Sequence, residues 1–233
     1  MAVETKVKTV PVHDDDTVAR MQGYWKKWAK PAAIVIVAAI VIFGGWFVYN
    51  NWIMQPKEEG AEKAIYKAQQ YFAEDSAYKA LNGDGVNKGF LSVINNYGGT
   101  KTANLAKFYA GVSYLKLGKF QEAVNYLKDF STDSKPVQMK AYGCLGDAYS
   151  ELKKNTEAID AYKKAAAAFE ADETNSAEYL FRAALLSEVA GNNDQAVDLY
   201  KQLKDKFPAT MRGAQADKYI YRLKVVPNEF SSK

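Results

Sequence analysis

The chain has 233 residues, 48% hydrophobic and 25% charged, with a formal net charge of +4, a composition that packs a core and excludes a wholly disordered chain. No dense Lys/Arg stripe follows the first apolar run, which excludes the concentrated basic footprint of a nucleic-acid surface. Cys144 is the only cysteine, so an intramolecular disulfide is excluded too, and its neighbours Ala141, Tyr142 and Leu145 read as a buried helix position.

The first nineteen residues carry little apolar content and are predicted to be a disordered tail. His13, the only histidine, stands there beside Asp14, Asp15 and Asp16, which reads as solvated tail rather than a metal site. From Ala32 to Tyr49 the sequence is an uncharged apolar run of 18 residues. With Trp52, Ile53 and Met54 it reaches the roughly 20 residues needed to cross a hydrocarbon core of about 30 Å, and only a helix crosses alone. Trp25 and Trp28 precede the run and Trp46, Tyr49 and Trp52 close it, matching interfacial aromatic belts. A cleaved signal peptide would be shorter and end in small residues, whereas this run ends Trp46-Phe47-Val48-Tyr49. Arg20, Lys26, Lys27 and Lys30 precede it with no acid among them, and mixed charge follows from Lys57 to Lys63. The positive-inside bias then gives a cytoplasmic tail over 1–30, a transmembrane helix over 31–54 and the remainder outside, in a bacterium the periplasm.

Pro56 is expected to end or bend the spanning helix. Helical spacing of Ala61, Ala64, Ile65, Ala68, Tyr71 and Phe72 predicts one helix from Lys57 to Leu81. Asn82-Gly83-Asp84-Gly85 is a turn cluster, a second helix is predicted from Lys88 to Tyr97, and Gly98-Gly99 stops it. Residues 55–99 thus form one divergent helix pair.

The rest of the chain repeats. Gly111-x-x-Tyr114 returns 35 residues later as Gly146-x-x-Tyr149, Ala123 and Leu127 return as Ala158 and Tyr162, and Ala196 and Tyr200 follow after 38 more. The period and residue types resemble the tetratricopeptide repeat, a pair of helices of about 34 residues. Gly111, Ala123, Gly146, Ala158 and Ala196 let paired helices approach closely; Tyr114, Phe120, Tyr149, Tyr162 and Tyr200 fill the space between successive pairs. The three additional residues before Ala196 are expected to lengthen the Ala165–Asn175 region by nearly one helical turn. A last helix, Met211 to Leu223, caps the stack. The fold class is all-α: one transmembrane helix, then a tetratricopeptide-like solenoid of three to four helix pairs with its capping helix over 100–226, and a C-terminal tail over 227–233.

No catalytic residue, cofactor site or metal site is read from the sequence. Without a histidine after the membrane, His-based triads and His metal sites have no ligand, and no P-loop or G-x-G-x-x-G occurs. Asn82–Gly85 is a fragment of a calcium loop but lacks the later oxygen ligands. No small-molecule substrate is expected. Binding of proteins is the better reading, because the first helices of stacked pairs line a concave surface. The repeat register puts Leu105, Phe108, Val112 and Leu115 there, followed by Lys140, Gly143, Asp147 and Ser150, then Glu178, Phe181, Leu185 and Glu188. Two alternatives stand for the apolar end: an open groove, or a core face covered by Lys57–Tyr97.

The layout of cytoplasmic tail, single span and tetratricopeptide domain resembles the YfgM-type ancillary subunit of the bacterial Sec translocon. Tyr97-Gly98-Gly99-Thr100 and Phe207-Pro208-Ala209-Thr210 also look like the Y-P-G-S/T turn of bacterial envelope repeat proteins. The resemblance implies a periplasmic repeat domain of an inner-membrane protein, with Sec translocon subunits, a periplasmic chaperone or translocating polypeptides as partners. The acidic-tail clamp of some such repeats needs Lys and Asn where this chain has Leu105, Phe108, Val112 and Asp147. The alternatives are an envelope or cell-division scaffold unrelated to Sec, or an organellar import receptor with cytosolic repeats.

Overall fold

The computed structural model describes residues 15–224; the expectations for His13, the rest of 1–14 and the 227–233 tail fall outside them. Among the described residues every extended element is helical, apart from one isolated bridge between Gly83 and Lys88. The chain divides into two compact units, Met1–Pro56 and Lys57–Lys233.

The first unit is built on α1 (Asp15–Val48), followed by a π-helical segment, Tyr49–Met54. The helix is described from Asp15 on, so residues 15–19 are helical where a disordered tail was expected. Among the described residues, one helical segment is long and apolar enough to cross a membrane, and its apolar stretch is not buried. Pro31 lies inside α1. Pro56 does not end a helix: helical backbone runs through it into α2 (Gln55–Ala73), with the π-helical turn just ahead of it and the Gln55 N–H bonded to the Asn50 carbonyl.

The second unit continues through α3 (Ala77–Asn82), α4 (Phe90–Asn96), α5 (Lys101–Lys116), α6 (Phe120–Lys128), α7 (Lys135–Glu151), α8 (Asn155–Ala168), α9 (Glu173–Val189), α10 (Asn193–Lys206), α11 (Met211–Ala214) and α12 (Ala216–Lys224). The single helix expected over Lys57–Leu81 is therefore two. The break is at Asp75, whose φ of 57° is left-handed, and the Ser76 N–H returns to the Tyr71 carbonyl at 2.8 Å. Lys116 holds the Asp75 carboxylate at 2.6 Å. Glycine is the usual residue in such a helix stop, which hides this one from a reading by breakers.

The same stop ends each first helix of the repeats. Gly118 (φ 70°), Lys153 (φ 59°) and Gly191 (φ 80°) occupy equivalent positions, and the N–H that follows each bonds a carbonyl five residues back: Lys119 to Tyr114, Lys154 to Tyr149 and Asn192 to Ser187, each at 2.9 Å. Only Lys153 carries a side chain there, and a left-handed L-residue costs roughly 1–2 kcal/mol. Lys153→Gly is expected to raise the unfolding free energy of the repeat unit by about 0.5–1 kcal/mol, after the added freedom of glycine in the unfolded chain is subtracted. Urea titration of the two proteins at neutral pH measures it.

The core runs along the stack in three clusters. Phe90, Val93, Leu81 and Ile65 pack against Ala106 and Ala110 of α5; Val124, Leu127, Leu145 and Ala161 form the middle; Tyr162, Leu180, Phe181, Leu199, Tyr200 and Leu203 form the C-terminal end. Each pair closes its apolar face on the next, as solenoid stacking requires. The longer spacing before Ala196 is taken up in α8, which has 14 residues against 9 in α6. The predicted capping helix is present as α11 and α12, split at Gln215.

Two residues at the start of the second unit tie α2 to the turn ahead of α5. Lys57 donates to the Gly98 carbonyl at 2.7 Å, and the Glu58 carboxylate accepts from the backbone N–H groups of Lys101 and Thr102, both at 2.7 Å. Thr100 caps the next free amide, Ala103 N–H, at 3.0 Å. Burial pushes the Glu58 carboxyl up, but the Thr102 and Lys101 hydrogen bonds outweigh it and hold the group below its ordinary value.

Candidate protein-interaction surface

Small residues set how closely the helices of a pair approach. A Cβ on Gly146 would meet the Tyr162 ring at 2.5 Å and one on Gly111 would meet Leu127 at 2.5 Å, while Gly143 lies under Tyr179 of the next unit. Cys144, beside Gly143, is half-buried, and desolvation pushes its thiol up to about 11, disfavouring the thiolate at neutral pH.

On α5 the N-terminal helices do cover one face, but not the face expected. Tyr109, not Phe108, meets them: its ring lies 5.2 Å from Phe90, stacked, and 5.1 Å from Phe72. Phe108 turns to Phe130 at 5.4 Å, and Leu115 leans on the middle cluster. Leu105 and Val112 are half-buried and belong to none of the three core clusters. The α5 helix thus separates two roles the sequence left together: 106, 109 and 110 for packing, and 105 and 112 for a partly open apolar strip.

Further along, the expected groove residues fall into a charged lattice. The Asp147 carboxylate accepts from the Tyr162 hydroxyl at 2.7 Å and from Arg182 at 3.0 Å. Arg182 also pairs with Glu178 at 3.2 Å, and Glu178 with Arg212 at 2.8 Å. Glu188 takes Arg222 on both oxygens, at 2.6 and 2.7 Å, and the Tyr200 hydroxyl at 3.2 Å. Phe181 is not on the groove: it is 6% exposed, packed on Tyr219 at 5.2 Å and roofed by the Arg212 guanidinium at 3.9 Å. The capping helices supply that cover, which the register of α9 alone does not reveal. Lys140 is exposed, Gly143 buried, and Ser150 half-buried. Leu185 is 38% exposed, one turn before Val189 at 74%.

Arg182, Arg212 and Arg222 were missed by the sequence reading, although a signal exists. α7, α9 and α11 begin 38 residues apart, at Lys135, Glu173 and Met211. Each arginine follows its acid by 34 or 35 residues, one turn short of that offset, so acid and base meet between a first helix and the next first helix or the capping helix α12. Glu178 shows the electrostatic outcome: burial raises its carboxyl, but Arg212 and Arg182 lower it further than burial lifts it. A lowered folded value means that its contribution to stability is complete above the ordinary value of 4.5 and is lost as pH falls below it. The stability difference between the protein and its Glu178→Gln variant is therefore expected to be largest at neutral pH and to shrink as pH drops below 4.5. Urea titrations across that range give the difference directly.

The Asn82–Gly85 turn places no ligand set for calcium. The Asp84 carboxylate accepts from Tyr71 hydroxyl at 2.6 Å and from the Val86 and Asn87 amides at 2.9 and 2.6 Å, and these bonds, Tyr71's first, hold the group well below the usual carboxylate range. Its oxygens serve the loop.

A family profile described as a tetratricopeptide repeat-like domain matches residues 22–145, more than half of the chain. The chain belongs to that family. A second profile, tetratricopeptide repeat, matches residues 178–210, which span α9 and α10. Among solved structures, a Podosopora anserina protein assigned as a kinesin light chain, with nearly identical TPR-like repeats, is similar over 70% of this chain and 84% of its own, at 15% identity and a TM-score of 0.51. A single-substitution variant of that protein gives the same values. At that identity the likeness concerns the fold alone. No curated protein matches the chain. Tetratricopeptide repeats are protein-interaction scaffolds, typically without catalysis, and they imply protein partners.

Proposed function

We propose that the chain is a single-span membrane scaffold, with its N-terminus in the cytoplasm and its tetratricopeptide unit outside, binding protein segments along the first helices. The observation that carries this reading is the pairing of a wholly unburied apolar helix with a repeat unit that keeps Leu105, Val112 and Leu185 partly open. The four bases ahead of the apolar run support the orientation. The apolar strip supplies contact area, and the lattice from Asp147 to Arg212 supplies a charged border at its C-terminal end. The finer reading, an ancillary component of the Sec translocon that receives chaperones or emerging polypeptides, rests on the layout of tail, span and repeats.

Two measurements test it. Protease added to spheroplasts is expected to digest the repeat unit; full protection would put it on the cytoplasmic side and sink the orientation. Crosslinking in native membranes is expected to recover Sec channel subunits or periplasmic chaperones. The yield is expected to fall in a Leu105→Asp, Val112→Asp double variant whose melting temperature is unchanged. Recovery of neither class of protein removes the translocon reading and leaves the scaffold.

A further inference from the structure

α1 is longer than a span requires. Its 34 residues extend about 51 Å at 1.5 Å per residue, whereas a hydrocarbon core is about 30 Å thick. The excess is on the N-terminal side, because charge ends only at Lys30. There Met21, Trp25, Trp28, Ala29 and Ala32 line one shallow apolar depression, with Met21, Trp25 and Trp28 exposed by 72%, 77% and 60%. At about 100° per residue these five positions share one arc of the helix, and Lys27 and Lys30, both exposed, fall on the arc opposite. From Arg20 to Pro31 the sequence holds four bases and no acid. Pro31 stands at the junction and has no N–H to give to the Lys27 carbonyl, which makes this the point where the helix bends most cheaply.

A tryptophan-bearing face opposite a lysine face, joined to a span through a proline, fits a membrane surface better than open water. Its charge selects the lipid: basic side chains at that depth meet phosphate, and anionic headgroups add a net attraction that zwitterionic ones lack. We propose that the segment from about Met21 to Lys30 lies in the headgroup layer on the N-terminal side of the span and binds anionic phospholipid. Trp25 and Trp28 insert toward the acyl chains, and Lys27 and Lys30 reach the phosphates by extending their stems. The inference rests on the reading of α1 as a membrane anchor.

The test uses the full chain in vesicles of phosphatidylcholine, with and without phosphatidylglycerol. In a variant with Met21→Trp and with Trp25, Trp28, Trp46 and Trp52 each changed to Phe, the only tryptophan stands ten residues before Pro31. That is about 15 Å beyond the core if the helix runs straight out. Lipids brominated near the headgroup end of the acyl chain are expected to quench it strongly with phosphatidylglycerol present, weakly without, and less in high salt. Adding Lys27→Gln and Lys30→Gln is expected to lower the inserted-to-free ratio by about 30-fold. All these positions lie outside the Lys57–Lys233 unit, whose thermal unfolding checks that the variants are folded.

Quenching that is absent, or that ignores lipid charge and salt, in protein that resists alkaline extraction would overturn the proposal while leaving the anchor intact. Energy transfer between labelled copies that depends on Met21 and Trp25 but not on lipid charge would overturn it by giving the face to a second copy. Extraction by alkaline carbonate would remove the anchor reading and the proposal with it.

Discussion

Tyr200→Ala is expected to cost about 3–5 kcal/mol of unfolding free energy, the range for truncating a large buried aromatic. Tyr200 is fully buried. Its ring stacks on Tyr219 of α12 at 5.0 Å and lies 6.0 Å from Phe181 of α9, while its hydroxyl donates to Glu188 at 3.2 Å. One side chain therefore joins α9, α10 and the capping helix. Tyr200→Phe keeps the ring and removes only the hydroxyl, and about 1 kcal/mol is expected from it. The loss in Tyr200→Ala is also expected to be local. Solenoid units couple to their neighbours alone, so amide exchange should speed up in α9, α10 and α12 and change little in α2 to α5. Uniform loss of protection along the whole unit would contradict that nearest-neighbour coupling.

Gly146→Ala is the second large effect, and its sign depends on a partner. Alanine in place of glycine in a helix interior normally stabilises by up to about 1 kcal/mol. Here the new Cβ would stand 2.5 Å from a ring carbon of Tyr162, and the ring is fixed from its other end by the 2.7 Å bond to Asp147. A rigid aromatic held at both ends has no cheap retreat, so overpacking is expected to cost about 1–3 kcal/mol. In a Tyr162→Ala background the obstacle is gone, and the same substitution is expected to become neutral or stabilising. A double-mutant cycle by urea titration reads this coupling. A Gly146→Ala cost that persists without the Tyr162 ring would place its origin elsewhere.

Much of this architecture was legible because packing demands particular sizes at fixed intervals. Gly111 against Leu127 and Gly146 against Tyr162 are the small-and-large pairs that made the 35-residue period visible. What stayed hidden was structure carried by residues that do not announce it. The break between α2 and α3 uses Asp75 in a glycine's place, with Lys116 to hold it. The ion pairs at Asp147, Glu178 and Glu188 need partners one helix pair away, which a reading of each helix by itself passes over. The candidate surface was legible in register but not in rotation: α5 packs Tyr109 against Phe72 and Phe90 and leaves 105 and 112 outside the core clusters, a difference of a fraction of a helical turn that composition does not encode. Phe181 was lost from the surface for a related reason, since what covers it arrives only with α11 and α12.

The clasp at Lys57 and Glu58 has a practical consequence for where the repeat unit may be cut free. The compact unit starts at Lys57, and its first two residues already reach across to Gly98, Lys101 and Thr102. A truncation beginning at Lys57 retains both. One beginning at Glu59 deletes the ammonium that closes the Gly98 carbonyl and the carboxylate that closes two amides of α5, and leaves only packing, such as Tyr97 against Gly60 and the buried Ala61 and Ile65, to hold that corner. A fragment that keeps the whole clasp therefore starts no later than Lys57.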